Sequence, residues 1–167
     1  IFLKKDIREI GSGNIGATNV LRSGNKLIGY TTLILDIFKA VLPVIFIKNN
    51  YSDFVYISAI CVFLGHVFPV WLNFKGGKGV AAYFGVLLGL NLIYGLIFGI
   101  IWIMVFLISK YSSLSSLIGS LSIPIYLFFT DSKQIIFFGI MFILIFYTHR
   151  ENIIRLKNKE ENKSKIY

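Results

Sequence analysis

Long apolar segments constrain this chain more than any other feature of its sequence. They are long enough to cross the roughly 30 Å hydrocarbon core of a bilayer, and they occupy residues 27–47, 54–73, 79–109, 111–130 and 134–148. Hydrophobic residues make up 56% of the 167 residues and charged residues 15%, and a soluble domain of this size has too little interior to bury them. The sequence therefore predicts an all-α integral membrane protein.

The distribution of positive charge decides how the run 79–109 crosses the membrane. As one helix, it would leave eight Lys and Arg residues outside the spans on each side. As two helices broken near 89–91, it leaves fourteen on one side and only Lys48 and Lys133 on the other. Because positive residues accumulate in the cytoplasm, the second interpretation is favoured. We therefore predict six transmembrane helices, with both ends of this chain and four segments in the cytoplasm: 1–26, 73–79, 109–114 and 148–167.

The two ends of the chain carry separate expectations. No Met opens the sequence, and Ile1-Phe2-Leu3 resembles the end of another apolar run. We therefore expect a further helix upstream, seven in the full-length protein, with residues 1–167 forming a single membrane-embedded domain. The residues 157–167 are expected to form a polar cytoplasmic tail that frays. Cys61 is the only cysteine, so the chain contains neither an internal disulfide nor a cysteine metal cluster.

The first glycine-rich motif reads GSGNIGATNVLR and occupies residues 11–22. Its small residues let backbone N–H groups approach a ligand closely, and its neutral polar side chains add hydrogen-bonding groups, which suits an oxyanion. The spacing also fits the GxGxxG dinucleotide fingerprint, but no strand precedes it, so that match is rejected. The alternative is a turn that only links two helices. The candidate ligand-binding residues here are Gly11, Ser12, Gly13, Asn14, Thr18 and Asn19.

The second motif, GHVFPVWLNFKGGKG at 65–79, ends one predicted span and opens the next. Gly76, Gly77 and Gly79 around Lys78 predict a flexible anion cradle, and the helix that follows would direct its positive N-terminal dipole at the bound group. The spacing is not that of a nucleotide-hydrolysing Walker A loop. The alternative makes the lysines ordinary cytoplasmic anchors of the flanking spans.

The third motif, residues 148–155, directly follows the last predicted span. If it is helical, His149 and Asn152 share one face, while Glu151 and Arg155 share another. One face would then meet substrate and the other would tie the segment down. The alternative is a basic segment bound to lipid headgroups. Neither histidine of the chain has enough ligand-type neighbours in sequence to predict a metal site.

Two further sets of polar residues accompany the apolar spans. Asp36 and Lys39 lie inside the first span at i and i+3, where an isolated charge costs a few kcal/mol, so we predict a structural pair facing the bundle interior rather than a proton relay. The loop 110–116 places hydroxyl groups on the cytoplasmic face. Ser113 and Ser116 either cap the following helix or contact a ligand.

Five segments together resemble the bacterial acyl-phosphate:glycerol-3-phosphate acyltransferase family. They occur in the family's order over nearly the whole chain: GSGNIGATNVLR at 11–22, LDIFKAVLPV at 35–44, GHVFPVWLNFKGGKGVA at 65–81, YSSLSS at 111–116 and HRENIIRL at 149–156. The resemblance implies a multi-pass inner-membrane protein whose active site faces the cytoplasm. It also implies acyl transfer from a fatty acyl phosphate to glycerol 3-phosphate, giving 1-acyl-glycerol 3-phosphate, without direct use of acyl-CoA or acyl-carrier protein.

The resemblance also implies roles for individual residues. The family's essential serine and arginine fall on Ser12 and Arg22, its loop lysine on Lys78, and its C-terminal histidine and asparagine on His149 and Asn152. The other matched positions are the glycine-loop residues Gly76, Gly77 and Gly79, the ligand-contacting serines Ser116 and then Ser113, and the structural Glu151. We also expect structural roles for His66 and for the pair Asp36 and Lys39. One departure is Ala40, which stands where a glycine is usual.

The expected mechanism is direct transfer without cofactor or metal. Lys78 and the glycine-loop amides hold the acyl phosphate, Arg22 grips the phosphate of glycerol 3-phosphate, and Ser12 and Asn152 orient the attacking hydroxyl. The proton passes to the substrate's own phosphate, with His149 as the alternative base.

The sequence leaves two other function classes open. A small organophosphate or phosphate transporter would use the basic loops as one mouth of a pathway and the charged pair in the first span as a relay. A lipid-binding scaffold would perform no chemistry. The expected partners are acyl phosphate, glycerol 3-phosphate and the bilayer. Nucleic acid is not an expected partner, and the protein is expected to be a monomer.

Overall fold

The computed structural model describes residues 6–9, 13–130 and 133–164 of the chain. All regular secondary structure within these residues is helical. The chain forms two compact units, Ile1–Leu90 and Asn91–Tyr167. Each unit contributes four α-helices to the described part of the chain, and the predicted all-α fold is confirmed.

The first unit is organised around its longest helix. Its helices are α1 (Ala17–Arg22), α2 (Lys26–Asn50), α3 (Val55–Val67) and α4 (Val80–Leu90). Helices α1, α3 and α4 all pack against α2, whose 25 residues span about 37 Å. Helix α2 begins where the Asn25 side chain accepts a hydrogen bond from the Ile28 amide at 3.0 Å.

Small residues let α4 lie directly on α2. A Cβ added to Gly85 would overlap the Ile37 carbonyl oxygen and crowd the Cβ of Ala40, and one added to Gly89 would lie 2.8 Å from Cγ1 of Val44. Both Ala40 and Val44 are fully buried. In lipid, the hydrophobic effect does not drive helices to associate. Close approach of the two backbones supplies the dispersion contacts that hold the helices together instead. Ala40, which stands where the family usually has a glycine, therefore lies at this helix crossing.

The second unit is built on a helical hairpin. Its helices are α5 (Leu92–Ser109), α6 (Ser112–Phe129), α7 (Ile135–Thr148) and α8 (Arg150–Lys157). Helix α6 packs against α5 and α7, and α8 contacts both α6 and α7. Lys110, with a φ of 64°, reverses the chain between α5 and α6. Gly119 of α6 lies against the ring of Phe98, which leaves little room for a larger residue.

The predicted break in the run 79–109 is confirmed. Helix α4 ends at Leu90, and α5 begins two residues later with the Asn91 side chain accepting from the Ile93 amide at 2.9 Å. The Lys48 ammonium donates to the Leu90 carbonyl at 2.7 Å and so satisfies an otherwise open end of α4. A positive charge at this position also complements the helix dipole.

The predicted count of six membrane spans is not confirmed. Among the described residues, four segments are long and apolar enough to cross: Lys26–Asn50, Ser52–Leu72, Leu92–Ser109 and Ser112–Phe129. A fifth is possible if α7 and α8, which meet at a 63° bend, form one broken span. Helix α4 has only 11 residues, or about 16 Å, and is too short to cross alone. The large exposed Leu, Ile and Phe residues on the long helices fit a lipid-facing surface, and the chain is an integral membrane protein.

The close contact between α2 and α4 predicts a stability effect for Gly85→Ala. The added methyl group must push against backbone atoms of α2, which costs about 1–3 kcal/mol of folding free energy and lowers the melting temperature in detergent. Gly65→Ala is the matched control, because nothing lies within 4 Å of its added Cβ and alanine favours a helix. Equal melting temperatures for the two variants would contradict this account of the crossing.

Candidate active site

The N-terminal motif forms a turn followed by a short helix. Gly11 and Ser12 lie outside the described residues. Gly13 has a φ of 67°, a conformation that favours glycine, and the Asn14 side chain accepts from the Gly16 amide at 2.9 Å. This local hydrogen bond leads the chain into α1.

Helix α1 carries the remaining candidates of the first motif. Asn19 is buried, and its side-chain amide donates to the Ile7 carbonyl oxygen at 2.9 Å. This bond ties α1 to the segment before the motif, a structural role that the sequence did not predict for Asn19. Thr18 and Arg22 are half-buried, and Arg22 ends the helix.

The Lys78 loop, residues 73–79, is closed by hydrogen bonds to the end of α3. The Gly76 amide donates to the Val67 carbonyl at 3.0 Å, and the Gly77 amide donates to the His66 carbonyl at 3.2 Å. These two amides therefore complete the end of a helix. The hydrogens of both amides point to backbone oxygens, and the expectation that these amides hold an acyl phosphate stays a prediction.

Close packing explains the three glycines of the Lys78 loop. An added Cβ at Gly76 would overlap the His66 carbonyl oxygen, one at Gly77 would overlap the imidazole of the same histidine, and one at Gly79 would overlap the Phe63 ring. Gly79 also has a φ of 86°. The predicted flexible cradle is thus a tightly packed turn.

Lys78 occupies a half-buried position immediately before the first turn of α4. The amide of Tyr83 donates to the Gly79 carbonyl at 2.7 Å, so the helix is formed from its first residues. The N-terminus of a helix carries partial positive charge. Lys78 and this helix end therefore place positive charge at the same point of the first unit.

His149 lies at the bend between α7 and α8. Its side chain is buried, with Nδ1 at 2.8 Å from the Ile145 carbonyl oxygen and at 3.3 Å from Oγ1 of Thr148. Because a carbonyl oxygen only accepts, the contact with Ile145 requires a proton on Nδ1. In the neutral imidazole, Nε2 is then the nitrogen with the basic lone pair.

Glu161 collects three hydrogen bonds in the second unit. Its Oε1 accepts from Oγ of Ser113 at 2.8 Å and from Nδ2 of Asn152 at 2.7 Å, while Oε2 accepts from Nε of Arg155 at 2.7 Å. Its side chain is 5% exposed. Burial raises the pKa of Glu161, but the hydrogen bonds from Arg155, Asn152 and Ser113 outweigh burial, so the pKa is below its ordinary value.

Comparison with known proteins shows close relatives over nearly the whole chain. The sequence model of the glycerol-3-phosphate acyltransferase family matches residues 1–159. A glycerol-3-phosphate acyltransferase of Pelagibacter ubique is 66% identical over 167 residues, covering 100% of this chain and 87% of that protein. One from Brucella anthropi is 46% identical over 159 residues, covering 95% of this chain and 79% of that protein.

The chain belongs to the glycerol-3-phosphate acyltransferase family. It is also similar to crystal structures of PlsY, an integral membrane glycerol 3-phosphate acyltransferase. The glycerol 3-phosphate form of PlsY has a TM-score of 0.89 at 34% identity and covers 95% of this chain and 82% of PlsY. The lysophosphatidic acid form has a TM-score of 0.84 at 34% identity and covers 92% of this chain and 81% of PlsY. The family predicted from the five motifs is confirmed, and this chain is an acyltransferase.

Glu161 contacts the predicted site residues Ser113 and Asn152, and the sequence did not predict it. Glu151, predicted to be structural, is exposed, and Arg155 pairs with Glu161 rather than with Glu151. Within the described part of the tail, the Ser164 amide donates to the Lys110 carbonyl at 2.9 Å, and residues 165–167 lie outside the described residues. An acidic residue beyond the helix end has no periodicity that points to its partners. The only sequence feature that could have indicated Glu161 is its negative charge in a basic tail.

The predicted serines are engaged within the protein. Ser116 is buried; its hydroxyl donates to the Ser112 carbonyl at 2.8 Å and accepts from Nε1 of Trp102 at 3.1 Å. Ser113 donates to Glu161, which also holds Asn152. The structure therefore brings two predicted site residues, Ser113 and Asn152, to one carboxylate.

Glu161→Gln tests this carboxylate against two matched controls. The charge-assisted bond to Arg155 is lost, so we expect a melting temperature several degrees lower and about tenfold lower activity, whereas Glu151→Gln and Glu160→Gln change little. A lowered pKa means that the carboxylate stabilises the fold above the ordinary glutamate pKa and that this stability is lost as pH falls through the lowered value. The difference between wild type and Glu161→Gln should therefore be largest near pH 7 and vanish in acid. A difference independent of pH would contradict the assignment.

Proposed function

We propose that this acyltransferase uses a fatty acyl phosphate as donor and acylates the sn-1 hydroxyl of glycerol 3-phosphate. The products are 1-acyl-glycerol 3-phosphate and inorganic phosphate. We further propose that it works as a monomer in the bacterial cytoplasmic membrane with its active site facing the cytoplasm. The observation that carries the proposal is a half-buried lysine, held by a tightly packed glycine turn at the start of a helix, in an integral membrane acyltransferase.

The donor's phosphate is the group that Lys78 would neutralise. In the transfer, the glycerol hydroxyl oxygen forms a bond to the acyl carbonyl carbon, and the bond from that carbon to the phosphate oxygen breaks. Negative charge grows on the departing phosphate and on the carbonyl oxygen. A lysine beside the positive end of α4 stabilises that charge more in the transition state than in the bound substrate.

The acceptor would be held by a separate set of residues. Arg22 suits the phosphate of glycerol 3-phosphate because its guanidinium donates two parallel hydrogen bonds. Ser12 and Asn152 would orient the attacking hydroxyl. Support for Asn152 comes from its bond to Glu161, which holds the orientation of the amide. The remaining candidates of the first motif, Gly11, Gly13, Asn14 and Thr18, would line the approach of the acceptor.

The hydroxyl's proton would pass to the donor's own phosphate. An acyl phosphate is already activated, and its phosphate oxygens are basic, so no protein base is required. His149 is the alternative, since protonation of Nδ1 leaves Nε2 as the basic nitrogen of the neutral ring. The same scheme needs no metal and no covalent acyl-enzyme.

The donor assignment is tested with purified protein in lipid. Palmitoyl phosphate and labelled glycerol 3-phosphate should yield labelled lysophosphatidic acid, whereas palmitoyl-CoA in place of palmitoyl phosphate should not. Lys78→Ala should lower kcat/KM for palmitoyl phosphate about 100-fold, because it removes a charge from the transition state. Lys75→Ala is the matched control, an exposed lysine of the same loop that should change kcat/KM less than threefold. Activity with palmitoyl-CoA alone would overturn the donor, as would equal losses in the two variants.

The base is tested with His149→Asn. If the donor's phosphate takes the proton, kcat keeps its pH profile and falls less than tenfold, because the asparagine amide nitrogen takes the place of Nδ1 and can still donate to the Ile145 carbonyl. If His149 is the base, kcat falls by 10²–10⁴-fold and loses its limb near neutral pH. The measurement is kcat against pH at saturating concentrations of both substrates.

A further inference from the structure

His66 is a buried residue in the last turn of α3 that takes no part in the proposed acyl transfer. Its side chain is 6% exposed, and its imidazole lies directly beneath Gly77, so that a Cβ added there would overlap Nε2. The adjoining Gly76 is equally close to the His66 carbonyl oxygen. The ring and the backbone of one residue therefore form the floor under the two glycines that precede Lys78.

The opposite edge of the imidazole faces the charged pair of α2. Nδ1 of His66 lies 3.7 Å from Oδ1 of Asp36 and has no hydrogen-bond partner among the described residues. The same oxygen accepts from Nζ of Lys39 at 2.6 Å, which confirms the predicted pair. Asp36 is 15% exposed, whereas Lys39 is half exposed and does not face the interior as predicted. His66 is thus confined between a carboxylate and the Lys78 loop.

We propose that His66 is a positioning residue for acyl transfer: backed by Asp36, its imidazole sets the position of Gly77 and so of the adjacent Lys78. The inference rests on the proposed function, in which Lys78 binds the donor's phosphate. His66 acts through Gly77 and not by touching substrate. The proposal also assigns a role to the charged pair of α2: Asp36, which is bonded to Lys39, supports the imidazole on the side away from Gly77.

Three features of the contact support positioning over simple space filling. Residues 76 and 77 are glycines and have no side chain that could separate the loop from α3. The distance between the loop and α3 therefore depends on the His66 atoms beneath the glycines. The imidazole is rigid, whereas a flexible side chain would let the loop settle at several heights. The Gly76 and Gly77 amides are bonded to the end of α3, which holds the loop against the turn that carries the imidazole. A displacement of about 1 Å at a catalytic group can cost about 100-fold in rate.

Substitutions at His66 separate positioning from a general loss of stability. His66→Ala removes the floor, and we expect KM for palmitoyl phosphate to rise about tenfold and kcat to fall, while KM for glycerol 3-phosphate stays within twofold. His66→Gln reaches as far as Nε2 and should restore most of the affinity, whereas His66→Asn keeps only the end near Asp36 and should not. Cys61→Ala, at an exposed position of the same helix, is the control for substitution in α3.

A double variant tests the contact itself. Gly77→Ala must displace the loop because its methyl group overlaps the imidazole, so KM for palmitoyl phosphate should rise. Combining it with His66→Ala removes the overlapping atoms, and the double variant should bind palmitoyl phosphate at least threefold better than Gly77→Ala alone. This comparison is informative even if His66→Ala folds poorly, because the double variant fills the space that the single variant leaves empty.

Lys78→Ala measured in parallel distinguishes failure of the proposed function from failure of the positioning role. If Lys78→Ala leaves KM and kcat for palmitoyl phosphate unchanged, the proposed role of the loop falls, and the positioning role of His66 falls with it. If Lys78→Ala is impaired but the two KM values change equally in His66→Ala, the positioning role alone is overturned. The positioning role is likewise overturned if the double variant is no better than Gly77→Ala, or if His66→Asn and His66→Gln behave alike.

Discussion

The hydrocarbon core of a bilayer offers no partner for a backbone N–H or C=O, and this requirement governs the architecture of the chain. Helices satisfy these groups internally, so the described residues are helical wherever they are apolar for long. Lipid tails are as apolar as leucine, so apolar side chains gain little by leaving lipid for a neighbouring helix. The helices associate through small residues, which let their backbones approach closely. Gly85 and Gly89 of α4 on α2, and Gly119 of α6 on Phe98, are examples of such close contact.

The same requirement favours polar contacts at the ends of helices. There the last carbonyls and first amides lack partners within the helix, and the chain uses them to fasten functional segments. The Lys78 loop is fastened to the end of α3 through the Gly76 and Gly77 amides. The C-terminal segment is fastened in the second unit by one carboxylate, Glu161, which collects donors from α6 and α8. In the first case the end of a helix supports a candidate site residue, and in the second the side chains of two helices do so.

The hydrogen bonds of the Lys78 loop point to a packing role for the glycines of the second motif. A glycine-rich turn beside a lysine is typical of anion binding through exposed amides. In this chain the glycines instead allow the turn to pack onto His66 and Phe63, and the positive charge comes from the lysine and the α4 dipole. Preorganised charge stabilises a transition state better than a mobile one, since no reorganisation is needed when the reaction occurs. The packing of the turn is thus consistent with catalysis.

The sequence by itself determined the properties that depend on local pattern. Apolar length predicted a helical membrane protein, charge asymmetry predicted the break at Asn91, i and i+3 spacing predicted the bond between Asp36 and Lys39, and five motifs in order predicted the family. Only the tertiary structure decided which groups meet across long separations. In the tertiary structure, the Gly76 and Gly77 amides bond to carbonyls at the end of α3, and His66 lies under Gly77. The carboxylate that holds α8 is that of Glu161 and not that of Glu151. The physical reason is that these contacts arise where separate helices pack or a chain end returns, and residue periodicity reports only which face of one helix a side chain occupies.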